Sequence, residues 1–382
     1  MSTFPGTPSP GSAVTAASRV PLARELLKLA RERAEKGVVD DAASGYDAAI
    51  LAAEREGDLA TSAEALRLRA VLHHHRNEPE RAWALAERSR LAAVEVGSTR
   101  LEAEALNVLG GLQLEAGRLD AARIALLHAL DCAANDWQLG ARIEQNLGIL
   151  ANVRGDRSLA RWHYLRSFRA YRRAHDRHGC AIALHNLGML SADRTRWRKA
   201  ERQFEMTREL AREAGDSHLE ALALLNSAEV KLALGQPDVA ETRAQESLRI
   251  FEQLGSTVDL ADAWKTLGLA SRRLGRPGAA ETRLRTALEL AASTGNTLTH
   301  AEATLALAEL HLEAGRRRDA VASLGAAWRL FAALGAKFEP ARALERLHRL
   351  EEEYLASLDD ALAFAVPGAR GRAARTARHA AD

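Results

Sequence analysis

Along this chain small apolar residues recur at a constant interval, and the stretches between them read as helices joined by short turns. The clearest marker is Asn146-Leu147-Gly148, which returns forty residues later as Asn186-Leu187-Gly188. Stepping both ways from that glycine reaches Ala30, Ala70, Gly110, Gly148, Gly188, Ala228, Gly268 and Ala308, always Gly or Ala. Every step is forty residues except one of thirty-eight, between Gly110 and Gly148. Seven residues after the marker stand Gly37, Asn77, Gly117, Gly155, Thr195, Gly235, Gly275 and Gly315. Twelve after it the column is alanine throughout: Ala42, Ala82, Ala122, Ala160, Ala200, Ala240, Ala280 and Ala320. Twenty-seven after it come Gly57, Gly97, Gly215, Gly255, Gly295 and Gly335, with Asn135 and His175 near that point in repeats three and four. One alanine column could arise by chance; four columns in register could not.

Each column carries a physical expectation. A helix stops at the second column, because Gly enters the left-handed region freely and Asn tolerates it. A new helix starts just beyond, marked by Pro79, Pro237 and Pro277 and by Asp41, Asp120, Asp156 and Asp238. The marker and the alanine column then face each other on opposing helices, where small side chains allow close approach. Leu29, Leu109, Leu147, Leu187, Leu267 and Leu307, each just before the marker, fill the space beside that contact. The last column ends the second helix. The chain is therefore expected to be all-α, a stack of about eight antiparallel helix pairs, each unable to bury its apolar face alone. Arg69 stands where Leu is expected and Thr195 occupies a turn position, so repeats two and five should be looser.

Composition agrees with helices and excludes other classes. Apolar residues make up 47% of the 382, yet aromatics only 4%, and there are nine prolines. That leaves too few β-branched and aromatic residues for a sheet of any size. No apolar run is long enough to span a membrane, and the first nineteen residues lack the basic start and apolar core of a signal peptide. Two cysteines, Cys132 and Cys180, provide no disulfide framework, so a cytoplasmic location is expected.

The small–Gly–Ala framework at these spacings resembles the tetratricopeptide repeat, in the long variety of about forty residues found in kinesin light chain and bacterial peptide-pheromone receptors. The resemblance implies a right-handed superhelical solenoid over residues 20–337. Residues 338–358 then read as a capping helix, and residues 1–19 and the Arg/Ala-rich 359–382 as disordered tails. It also implies a concave groove lined by the first helix of each pair.

In that groove the sequence places a ladder of polar side chains: Asn107, Gln145, Asn146, His185, Asn186 and Asn226, with Arg142 and Lys265 adding charge. An amide offers donors and an acceptor together, the complement of an extended peptide backbone. A second lead is charge. Net charge is only +2, but residues 154–202 hold thirteen cations against four carboxylates. Arg157, Arg161, Arg169, Arg172 and Arg173 would form a basic docking face on the convex side for an acidic partner or, less favoured, RNA phosphates.

No phosphate-binding, dinucleotide, nucleophile-elbow or zinc-protease motif is present, so no catalytic residue and no cofactor is assigned. His73, His74 and His75 are adjacent in a helix and point about 100° apart, too divergent for one metal ion. Cys132, His163, His175, Cys180 and His185 lack metal-ligand spacing, and no metal site is expected. The expected function is an interaction scaffold holding a peptide or extended partner segment in the groove. The alternative is a peptide sensor acting in trans on a signalling or transcription partner, because no output domain is recognisable. Self-association, if it occurs, would use the end repeats.

Overall fold

The structure, a computed structural model, describes residues 21–134 and 136–334. Among them the chain forms sixteen helices and no strand. They fall into two compact units that divide after Asp176. The first holds α1 (Leu22–Glu35), α2 (Val39–Glu56), α3 (Leu59–His75), α4 (Pro79–Glu95), α5 (Thr99–Glu115), α6 (Leu119–Ala133), α7 (Trp137–Val153) and α8 (Arg157–Arg173). The second holds α9 (Arg177–Ala192), α10 (Trp197–Ala214), α11 (Ser217–Ala233), α12 (Pro237–Leu254), α13 (Thr257–Arg273), α14 (Pro277–Thr294), α15 (Thr297–Glu313) and α16 (Arg317–Ala333). Each unit is four stacked antiparallel pairs. The capping helix expected at 338–358 and both tails lie outside the described residues.

The turn column behaves as its chemistry requires. Every glycine in it has positive φ, and so do its two other members, Asn77 at 57° and Thr195 at 55°. Repeats two and five are consequently not loose: α3 packs on α4, and α9 on α10, as closely as the other pairs. Five of the helices after the last column begin on a side-chain cap that the sequence reading did not pick out. Asp58, Asp136 and Asp216 accept from the backbone N–H three residues on, as do Ser98 and Asn296. Asp41, Asp120 and Asp238, expected near helix starts, lie within the first turns of α2, α6 and α12, where acidic side chains favour the positive helix end.

The marker column has a different role from the one its composition suggests. Its glycines make room not for the alanine column but for a large side chain sixteen residues later. A Cβ on Gly110 would meet Leu126 at 2.6 Å, on Gly148 the Tyr164 ring at 2.5 Å, on Gly188 the Phe204 ring at 2.6 Å, and on Gly268 Leu284 at 2.7 Å. Where the marker is Ala70 or Ala228, the later residue is Ala86 or Ala244. In these six pairs volume is exchanged between the two helices, as a close-packed interior demands, whereas Ala30 and Ala308 are followed sixteen residues later by the large, buried Tyr46 and Leu324. Of the leucines before the marker, five are buried, but Leu29 is 49% exposed because no described helix precedes α1 to cover it.

The thirty-eight-residue step falls at α6, which has 15 residues where the other even-numbered helices have 17 or 18. It ends at Ala134 with φ 36° and ψ −96°, outside the helical region.

Candidate functional site

In each unit the odd-numbered helices contact their odd-numbered successors, while successive even-numbered helices make no comparable contact among the described residues. The odd helices therefore line the inner side of each unit. Their ladder positions carry the polar side chains that the sequence reading selected.

In the first unit Asn146 Nδ2 donates to Asn107 Oδ1 at 2.9 Å, tying α7 to α5. One amide bond is spent between repeats; the Asn146 carbonyl and the Asn107 N–H₂ make no other hydrogen bond within the described residues. Next along α7, Gln145 Oε1 is buried with no hydrogen-bond partner. Arg142, one turn earlier, is exposed and pairs with no carboxylate among the described residues. Its neighbour Arg67 is held at 2.9 Å by Glu104 in a pair that is almost wholly buried. Burial lowers the Arg67 pKa, Glu104 opposing it and Arg142 adding to it.

In the second unit Asn226 Nδ2 lies 2.8 Å from His185 Nε2. Burial pushes the His185 pKa down to about 4, so the ring is neutral and its Nε2 accepts. Asn186 makes no hydrogen bond to another side chain, and like Asn226 it is half-buried. Lys265 departs from expectation. It is 6% exposed and ringed by carboxylates: Glu302 at 2.6 Å, Asp262 at 2.9 Å and Glu229 at 3.6 Å. Burial works against its charge, but Glu229, Glu302 and Asp262 together raise its pKa above the ordinary lysine value. Lys265 thus presents no free cation, and the surplus charge there is negative. Thr299 Oγ1 donates to Asp262 Oδ1 at 2.7 Å and fixes one wall of the cluster.

Glu104, Glu229 and Glu302 come from neighbouring helices, whereas Asp262 lies three residues before Lys265 on the same helix. Arg67 occupies the same register as Lys265, three before the marker, while Glu104, Asp262 and Glu302 stand six before it, so the column pattern itself held the signal.

The arginines chosen for a basic face lie on α8. Arg157, Arg161, Arg169, Arg172 and Arg173 are all exposed on α8, and among the described residues no ion pair engages any of them. Their neighbours are neutralised: Arg166 Nε lies 2.7 Å from Glu144, whose other oxygen is 2.7 Å from His163 Nδ1, and Arg154 pairs with Asp120. Arg173 sits over the Trp137 ring at 4.2 Å. The shortened α6 leaves a cleft of about 300 Å³ beside this helix, lined by Trp137, Glu144, Arg166, Arg169 and Arg173 among others.

The histidine run proves divergent, as its spacing requires: His73 Nδ1 pairs with Glu78 and His74 Nε2 with Glu115. No described helix is long and apolar enough to cross a membrane.

Comparison with known proteins places this architecture. Residues 181–253 match the family model described as Tetratricopeptide repeat. No curated protein sequence matches the chain. Among solved structures it is similar to a signal transduction ATPase with numerous domains from Pyrococcus horikoshii that carries a tetratricopeptide repeat sensor. There the TM-score is 0.63 at 16% identity over 84% of this chain, which spans about half the length of that protein. It is also similar to a Rap protein complexed with competence and sporulation factor, with TM-score 0.59, 15% identity, and 87% and 98% of the two chains covered. The apo quorum sensor NprR from B. thuringiensis aligns with TM-score 0.54 and 14% identity over 86% of this chain and 98% of its own. Residues 181–253 thus match tetratricopeptide repeats, and the described helices have the all-α solenoid fold of these structures.

Proposed function

We propose that the protein is an interaction scaffold whose inner helices hold an extended peptide segment of a partner. The observation that carries this reading is the half-used Asn107–Asn146 pair on the inner helices, which spends one donor and one acceptor between repeats and keeps the others. The unused Asn146 carbonyl can accept from a peptide N–H and the unused Asn107 N–H₂ can donate to a peptide C=O. In the second unit Asn186 and Asn226 keep amide groups available, and the carboxylates around Lys265 favour a ligand with a cationic side chain there.

The Rap protein of similar fold binds competence and sporulation factor, and NprR is a quorum sensor. A peptide occupant that acts as a signal is the same groove chemistry with a different outcome. The test is a pull-down of the partner from native lysate, identified by mass spectrometry, with the wild type and the N146A/N186A/N226A variant. Each lost hydrogen bond is worth about 0.5–1.5 kcal/mol, so three together predict at least a tenfold loss of affinity. A folded triple variant that retains every partner refutes the groove.

The five unpaired arginines of α8 favour a second contact, with an acidic partner surface. Binding through them weakens steeply as salt is raised, and R169E/R173E removes it; salt-independent binding excludes it.

A further inference from the structure

Away from the inner helices, the third helix pair brings three metal-ligating side chains together. Glu102 lies in the first turn of α5, and His128 and Cys132 are four residues apart near the end of α6. That spacing puts both α6 side chains on one helical face, and the antiparallel pairing sets the start of α5 beside the end of α6. One ligand atom from each of the three lies within 4.8 Å of the others, and His128 Nε2 is 3.6 Å from Glu102 Oε1. The sequence reading set Cys132 beside histidines of other repeats and passed over the His128-x-x-x-Cys132 spacing. Ala103, Ala129 and Ala133, each next in sequence to one of the three ligands, are buried in the core of this pair. The backbones that carry the donors are therefore fixed by tight packing.

We propose that Glu102, His128 and Cys132 form a Zn²⁺ site with water completing the tetrahedron. The donor set of thiolate, imidazole and carboxylate suits zinc and disfavours the oxygen-seeking Mg²⁺ and Ca²⁺. Two anionic donors balance the charge of the ion. Zinc bonds of about 2.1 Å at the tetrahedral angle separate nitrogen and oxygen donors by about 3.4 Å, close to the spacing found here. The half-exposed ring of His128 leaves the site open to ions from solvent. Arg90, the cation that acts on Glu102, is itself engaged by Glu87 at 3.0 Å.

The test uses the full chain, reduced and stripped with a chelator, titrated with Co²⁺. The wild type should develop a near-ultraviolet thiolate-to-metal band and tetrahedral visible absorption, saturating at one ion per chain and bleached by Zn²⁺. C132S should remove the near-ultraviolet band and weaken Zn²⁺ binding about tenfold or more, as loss of a ligand does; H128Q and E102Q should weaken it likewise. C180S, which alters the cysteine of the other unit, should bind as the wild type does. Circular dichroism establishes that each variant is folded. Absence of the thiolate band in wild type, its survival in folded C132S, or its loss in folded C180S overturns the proposal.

Discussion

Two adjacent glycines on α5 separate the two things a glycine does in a helix. Gly110 faces Leu126, whose Cγ and Cδ2 would both lie 2.6 Å from an added Cβ, whereas nothing lies within 4 Å of one on Gly111. Both substitutions by alanine gain the same helix propensity, about 1 kcal/mol. At Gly111 that gain stands alone. At Gly110 the new methyl enters the repulsive wall of a side chain that is 0% exposed and cannot swing away, an overpacking cost of about 1–3 kcal/mol. G110A should therefore be less stable than G111A by roughly 1–3 kcal/mol. The assay is urea denaturation followed by circular dichroism, comparing midpoints at unchanged slope. A double-mutant cycle adds the cause. L126A alone opens a cavity and costs about 2–5 kcal/mol, but part of this returns in G110A/L126A, which recreates the Ala–Ala pairing of Ala70 with Ala86. If G110A is as stabilising as G111A, or the cycle shows no coupling, volume exchange within the pair is not what the marker column does.

Three further outcomes are expected. T195G should raise the melting temperature and N77G should raise it less, because a β-branched residue at φ 55° is more strained than asparagine at 57°; thermal denaturation checks the order. His185 is neutral in the fold down to about pH 4 but takes a proton near 6.5 when unfolded, so the unfolded state binds more protons between these values. Its contribution to stability is then complete above pH 6.5 and lost as pH falls towards 4, and H185N should flatten the pH dependence of the denaturation midpoint over that window. E302Q and D262N each remove a carboxylate from buried Lys265, and both should destabilise the second unit by about 1–3 kcal/mol, measured by urea denaturation.

The column positions made the turns readable because left-handed φ is a property of one residue at a time. Even Thr195, an unfavourable type, is held there by the helices on either side. What the columns could not show is anything that depends on two of them at once. The exchange between Gly148 and Tyr164, or Gly188 and Phe204, is a relation across a helix pair, so the small marker looked like a partner for the alanines. The polar positions Asn107, Asn146 and Asn226 could be read from the sequence, yet the hydrogen bonds joining successive repeats through them could not. Lys265 misled in part for the same reason: Asp262 is three residues before it in the sequence, but Glu229 and Glu302 come from α11 and α15. Leu29 shows the effect of an end: its column predicts burial, and only a preceding pair would supply it.

The claim that the inner helices hold the partner is tested most directly by site-specific photo-crosslinking in the native host cell. A photoreactive residue placed at exposed Met189 on α9 should form an adduct with a partner peptide identified by mass spectrometry, whereas one at Arg161 on α8 should not capture that peptide. Adducts that contain the same peptide at Arg161 and none at Met189 would contradict it.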